Sequence, residues 1–155
     1  MPDRLTPAQI LDRTTTDALA LHFTLRNPAP SNAGALTARI ADAQHLAAIA
    51  LRLFLDLDEH TPQPSSADLL LLERIAQIAK AAQDAGAELA AALARSVENQ
   101  RRRAKAVSER VVLIGPSPQQ FIESATDLLD RIPALCHAIH RDRLLPPSTP
   151  INPSR

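Results

Sequence analysis

The fold is decided by residues 66–114, which read SADLLLLERIAQIAKAAQDAGAELAAALARSVENQRRRAKAVSERVVLI. Apolar and small side chains recur there every three or four residues, and the average step of about 3.6 is the period of a straight α-helix. The row consists of Leu71, Ile75, Ile78, Ala82, Ala85, Leu89, Leu93, Val97, Ala104, Val107, Val111 and Ile114, with Gln100 as its polar member. The pattern predicts one helix over about 66–113, roughly 70 Å long at 1.5 Å per residue, that continues through Gly86. The alternative is a break near Gly86, which would give a shorter and more compact bundle.

Composition places the chain in the all-α class. Its 155 residues include no tryptophan or tyrosine and only three phenylalanines, which are too few aromatic residues to indicate a sheet. The length corresponds to one domain, which we expect over residues 1–145. Acidic and basic residues number 17 each, so the overall charge indicates neither nucleic acid nor an anionic membrane as a partner.

Three further helices are predicted, over residues 7–26, 35–59 and 118–143. The first, the long and the last helix each begin with a hydroxyl residue followed three positions later by a side chain that can complete a capping box: Thr6, Ser65 and Ser117. Short, proline-marked connections join the four segments, which predicts an antiparallel four-helix bundle. Three consecutive threonines, residues 14–16, are expected to bend or interrupt the first helix.

The end of the long helix and the C-terminal region carry their own signals. Gly115 and Pro116 are expected to end the long helix, because glycine is preferred just past a helix C-terminus. Pro133 falls inside the apolar row of the last helix and predicts a kink there. Residues 146–155, PPSTPINPSR, are expected to form a disordered, proline-rich tail.

A cytoplasmic location without membrane insertion is the expected setting. The single cysteine excludes an intramolecular disulfide and fits a reducing compartment. The first residues, MPDRLTPAQ, lack the apolar segment of a signal peptide. The longest apolar stretch, residues 46–57, contains Arg52 and is too short to span a bilayer.

A basic stretch over residues 101–110 is the sharpest local feature. It contains five basic residues and one acidic residue, a net charge of +4 in a neutral chain. Such a stretch can contact nucleic-acid phosphates, or it can be a solvated helical surface that pairs with carboxylates. Consecutive arginines point in different directions around a helix, which favours the second interpretation. The candidate nucleic-acid contacts are Arg101, Arg102, Arg103, Lys105 and Arg110.

A metal site is a further alternative, at Cys136, His137 and His140. Both residue types bind zinc, and the two histidines are three positions apart on one helical face. A second set of ligands would have to come from the acidic end of the second helix, residues 56–60. The alternative interpretation is that Cys136 is a small core residue and that both histidines are exposed.

No catalytic or cofactor motif is present in the sequence. There is no nucleophile elbow, glycine-rich phosphate loop, H-E-x-x-H or E-x-x-H pattern, so neither an enzymatic activity nor a cofactor is predicted. The sequence therefore favours a non-catalytic, self-associating protein-interaction or assembly module. A nucleic-acid-binding regulator and a metal- or ligand-binding bundle are the alternatives.

Unequal helix lengths suggest where a partner would bind. The second helix is expected to line residues 71–93 of the long helix, and the last helix is expected to line residues 97–111. Part of the last helix would then stay exposed and attract a second copy of the chain or another protein. The residues predicted for this contact are Val97, Ala104, Val107, Val111, Ile122, Leu129 and Cys136.

Overall fold

A computed structural model describes residues 4–27, 29–30, 32–106 and 114–146. Within these ranges the chain forms four helices and no strand, so the predicted all-α fold is confirmed. The helices are α1 (Pro7–Arg26), α2 (Ala33–Glu59), α3 (Ser66–Lys105) and α4 (Pro118–Arg141). They form a four-helix bundle in which α3, with 40 residues, is the longest element.

Local side-chain hydrogen bonds fix where the helices begin. Capping boxes form at Thr6, Ser65 and Ser117, as predicted, with each hydroxyl accepting from a backbone N–H three residues on. Helix α2 begins two residues before its predicted start, because the Asn32 side chain accepts a hydrogen bond from the backbone N–H of Ala35 at 2.8 Å. Such caps satisfy N–H groups that have no partner inside the helix.

The helices are continuous through all three sites at which the sequence suggested a break or a bend. The hydroxyls of Thr14, Thr15 and Thr16 donate to the carbonyls four residues earlier at 2.7–3.0 Å, and α1 runs through them. Helix α3 continues through Gly86, which is buried, and α4 continues through Pro133. The kink expected at Pro133 stays a prediction.

Helix α3 ends earlier than predicted. Its last helical residue is Lys105, and Ala106 caps it with a non-helical backbone, so the end near residue 113 is wrong. Residues 107–113 lie outside the described residues, as do residues 147–155 of the predicted tail. Gly115 therefore does not cap α3; it has a φ of +97° in the connection to α4 and packs against the Arg95 side chain.

The position of α4 corrects the predicted packing. Its C-terminal end reaches the start of α3, where Arg74 lies 2.6 Å from the Asp142 carboxylate. Before the start of α4, the backbone carbonyl of Ile114 accepts a hydrogen bond from Arg95 at 2.9 Å. Helix α4 thus covers residues 74–95 of α3 rather than 97–111. The apolar face of α3 is widest there, with its buried residues ending at Ala92, so α4 buries most surface in this position.

Helix α1 closes the bundle by packing against both α2 and α4. On the α4 side, the Asp12 carboxylate lies 3.2 Å from His140 and the Asp130 carboxylate lies 3.1 Å from His22. This closure covers the face of α4 that was expected to remain exposed. Ile122, Leu129 and Cys136 are each at most 2% exposed and belong to the intramolecular core. None of the described helices combines the length and apolarity that crossing a bilayer requires.

Candidate interaction surface on the third helix

The end of α3 projects beyond the helices that surround the rest of it. Because Arg95 contacts Ile114, α4 begins level with Arg95. A Cβ on Gly86 would lie 3.6 Å from the Ala43 side chain of antiparallel α2, so Ala33, the first residue of α2, comes level with about residue 96. Residues 96–105, which we call the α3 extension, therefore continue for about 15 Å past both neighbours.

One face of the α3 extension points into solvent. Val97 is 51% exposed, and Arg101, Ala104 and Lys105 are also exposed. At 100° per residue these four residues lie within about 100° of one another around the helix, so they share a face. The face combines two small apolar side chains with two cations. Val97 and Ala104 are members of the predicted interaction set that remain accessible, whereas Val107 and Val111 lie outside the described residues.

An ion-pair cluster lies on the flank of the α3 extension, about 100° around the helix from the middle of the exposed face. Glu98 lies 2.8 Å from Arg102 and 3.5 Å from Arg95, and all three side chains are partly buried. Arg95 also donates to the carbonyl of Ile114, which links the base of the extension to the connection before α4. The cluster neutralises part of the charge of the helix.

The basic stretch is consequently divided between two environments. Arg102 is turned towards Glu98, while Arg101, Arg103 and Lys105 are exposed and form no ion pair with a carboxylate of the described ranges. Arg101 and Arg103 are about 200° apart around the helix, so only one of them lies with Lys105 on the Val97 face. Arg110 falls outside the described residues.

The three candidate metal ligands do not converge. The Cys136 thiol faces the core, His137 is exposed, and His140 faces Asp12 of α1. Among the described residues, no three His, Cys, Asp or Glu side chains come together as a metal site requires. At the acidic end of α2, His60 Nδ1 instead lies 2.6 Å from the backbone carbonyl oxygen of Asp56.

Cys136, His140 and Asp12 also resemble the members of a nucleophilic triad, but their environment opposes that chemistry. Burial raises the pKa of the Cys136 thiol above its ordinary value, so the thiol is protonated at neutral pH. The side chain is only 2% exposed, which keeps a substrate from reaching the sulfur. A nucleophilic cysteine requires the opposite conditions, a lowered pKa and access.

A groove between α3 and α4 has a volume of about 500 Å³. Its lining includes Lys80, Asp84 and Arg131 beside small alanine side chains. Lys80 is already paired with Asp84 at 2.6 Å, which leaves one cation, Arg131, among the charged lining residues. The groove therefore presents a weaker charge pattern than the α3 extension.

Sequence reasoning missed the ion-pair cluster at the base of the α3 extension. The signal was present, because Arg95, Glu98 and Arg102 follow the i, i+3 and i+4 spacings at which charges meet on a helix. This spacing shows that Glu98 can neutralise part of the charge of Arg95 and Arg102. The exposed basic residues nearby have no such carboxylate within the described ranges.

A comparison with known proteins finds no matching family model, and neither a curated protein nor a solved structure matches this chain significantly. The function therefore has to be argued from the side chains themselves.

Proposed function

We propose that this protein is a non-catalytic interaction module that binds an acidic partner protein through the exposed face of the α3 extension. The observation that carries the proposal is that α3 continues past α2 and α4 and exposes Val97 and Ala104 beside Arg101 and Lys105. A helix whose end the other described helices leave uncovered is a suitable binding element, because its apolar residues gain burial on association.

Charge favours a partner of a different kind over a second copy of the chain. In a symmetric dimer each surface meets itself, so Arg101 and Lys105 would be brought towards their own copies. Like charges placed opposite each other across an interface cost several kcal/mol. Carboxylates on the partner would instead pair with both cations while Val97 supplies an apolar contact.

Nucleic acid is the second candidate, and the exposure of Arg101, Arg103 and Lys105 supports it. Two features weigh against it. Arg101 and Arg103 point in directions about 200° apart, and the α3 extension contains no aromatic side chain on which a base could stack.

The test is site-specific photo-crosslinking from position 97 of the full chain in its native host. We expect a crosslinked product that contains one other protein with an acidic surface, identified by mass spectrometry. The double variant Arg101→Glu/Lys105→Glu should lose the product. Reversing the facing carboxylates of the identified partner should restore it, because charge complementarity rather than charge alone sets the specificity.

The matched control is Arg26→Glu/Arg131→Glu, which changes the net charge equally at two exposed positions on α1 and α4, away from the α3 extension. It should retain the product. Equal loss in both variants, a product made of two copies of this chain, or no product at all would each contradict the proposal. A salt-sensitive shift of labelled duplex that the Arg101 and Lys105 substitutions abolish would favour nucleic acid instead.

A further inference from the structure

A second groove lies at the other end of the bundle, between the first half of α1 and the last half of α2. It has a volume of about 320 Å³, and its lining is predominantly apolar. The apolar lining comes from Leu5, Ile10, Ile49 and Leu53. Small-molecule sites commonly combine such a lining with a few polar groups at defined positions.

Two arginines from different helices provide such groups. Arg13 of α1 and Arg52 of α2 both line the groove and are both exposed. Neither forms an ion pair with a carboxylate among residues 4–27, 29–30, 32–106 and 114–146, whereas Arg39, also on α2, lies 3.2 Å from Asp42. Two cations against one carboxylate, Asp56, in the lining give this groove a net positive charge, which attracts a negatively charged ligand.

The remaining lining residues refine this chemistry. The Thr14 hydroxyl donates to the Ile10 carbonyl at 2.7 Å, so it is already satisfied and leaves no donor on the apolar floor. Asp56 lines the groove four residues after Arg52, yet the two side chains do not form an ion pair. His45 lines it one turn before Ile49. An inorganic anion would leave the apolar floor uncovered, and a neutral apolar ligand would leave both guanidinium groups without a partner.

We propose that this groove binds a free single-chain amphiphile with an anionic head, of the class of medium-chain carboxylic acids. The acyl chain lies along Ile10, Ile49 and Leu53, and the carboxylate is bound by Arg13 and Arg52. Guanidinium groups form paired hydrogen bonds with carboxylates, which makes arginine well suited to this head group. Asp56 weakens binding because its carboxylate repels the ligand's head.

The experiment is a titration of the full chain with decanoate, followed by the methyl NMR signals of Ile10, Ile49 and Leu53. We expect saturable shifts confined to this groove. Decanol, which has the chain without the charge, and acetate, which has the charge without the chain, should each bind at least about tenfold more weakly, because each forfeits one of the two contributions.

Substitutions separate the head-group contacts from non-specific binding. Arg13→Gln/Arg52→Gln should weaken decanoate binding about tenfold, Asp56→Asn should tighten it, and Arg26→Gln/Arg131→Gln should leave it unchanged. All these positions are exposed, so the fold tolerates the changes. Equal affinity for decanol, shifts outside the groove, or unaltered binding by the Arg13/Arg52 variant would overturn the proposal. Co-sedimentation with phosphatidylglycerol vesicles, lost in the Arg13/Arg52 variant, would overturn the assignment to a free acid in favour of a membrane lipid.

Discussion

The Arg74 guanidinium donates to the Asp142 carboxylate at 2.6 Å and joins the start of α3 to the end of α4. The same nitrogen also donates to the Ala138 carbonyl at 3.0 Å. The Arg74 side chain is only 17% exposed, so these contacts are partly shielded from water. They hold in register the two helices whose packing departs most from the sequence prediction.

Arg74→Met should lower the free energy of unfolding by about 1–2 kcal/mol. The substitution removes the partly buried group that donates to the Ala138 carbonyl and the Asp142 carboxylate at the end of α4. Lys80→Met is the matched control. Lys80 forms an ion pair with Asp84 at the same 2.6 Å distance, but its side chain is 73% exposed. Exposed pairs of this spacing contribute about 0.3–0.5 kcal/mol. Urea denaturation followed by circular dichroism measures both, and equal effects would contradict the importance of burial.

Acid should weaken the α3–α4 contact. Hydrogen bonds from Arg141, and then from Arg74, hold the pKa of Asp142 below its ordinary value of 3.8. A lowered folded-state pKa contributes stability that is fully present above the unfolded-state value and is lost as the pH falls through the folded-state value. Asp142→Asn should therefore flatten the decline of the unfolding midpoint as the pH falls below about 4.

The flattening should be partial, because Asp68 contributes in the same direction. Backbone and side-chain hydrogen bonds from Ser65 lower the pKa of Asp68 in the capping box of α3. Asp68→Asn/Asp142→Asn should flatten the profile further than either single substitution. A double variant with the parent's profile would show that other carboxylates dominate the acid sensitivity.

Leu129→Ala should destabilise the monomer rather than disrupt an assembly. The side chain is 1% exposed, so its truncation leaves a cavity and should cost about 2–5 kcal/mol. Leu19→Ala on the outer surface of α1 is the control, since Leu19 is 52% exposed and its loss should cost at most about 0.5 kcal/mol. A change of solution mass without a change of unfolding midpoint would support the interface first expected at Leu129.

Gly115→Ala and Gly86→Ala should have opposite effects. Gly115 has a φ of +97°, which residues other than glycine rarely adopt, and an added methyl group would lie 2.7 Å from the Arg95 guanidinium. The substitution should therefore cost about 1 kcal/mol or more. At Gly86 the methyl group would lie 3.6 Å from the Ala43 side chain, which is ordinary contact, and it should stabilise the helix by about 0.5–1 kcal/mol. Thermal unfolding compares the two; a stabilising Gly115→Ala would contradict the described backbone.

Replacing Arg101, Arg102 and Arg103 together with glutamine should leave the fold intact. Only Arg102 forms an ion pair within the described chain, with Glu98, and both side chains are more than a third accessible. The expected cost is about 0–1 kcal/mol, measured by urea denaturation. A larger loss would show that the α3 extension supports the bundle, and would weaken its assignment as a binding element.

The features that sequence predicted are those set by neighbours along the chain. Thr6, Ser65 and Ser117 could be identified as caps because a capping box involves residues three positions apart. The continuity of α3 through Gly86 followed from an apolar row that stays in phase on both sides. These interactions need no knowledge of which helices meet.

Which helix covers which part of α3 could not be read in the same way. An apolar row shows that a face will be buried, but not against which partner, so Ile122 and Leu129 were assigned to an external contact although α1 and α3 bury them. The α3 extension depends on where α4 begins, which is fixed by the contact between Arg95 and Ile114. Of the residues predicted to form the interface, Val97 and Ala104 are the ones that are exposed within the described ranges.

The contacts of Asp12 with His140 and of His22 with Asp130 also bear on how the protein is made. They join α1 to α4, which is synthesised after the other three described helices. Until α4 has emerged, α1 can pack against α2 alone, and its remaining apolar surface is open to other chains. Large chains exposed in this way are prone to misassembly. The closed bundle can therefore form only after α4 has been synthesised, and α1 keeps an unburied apolar face until then.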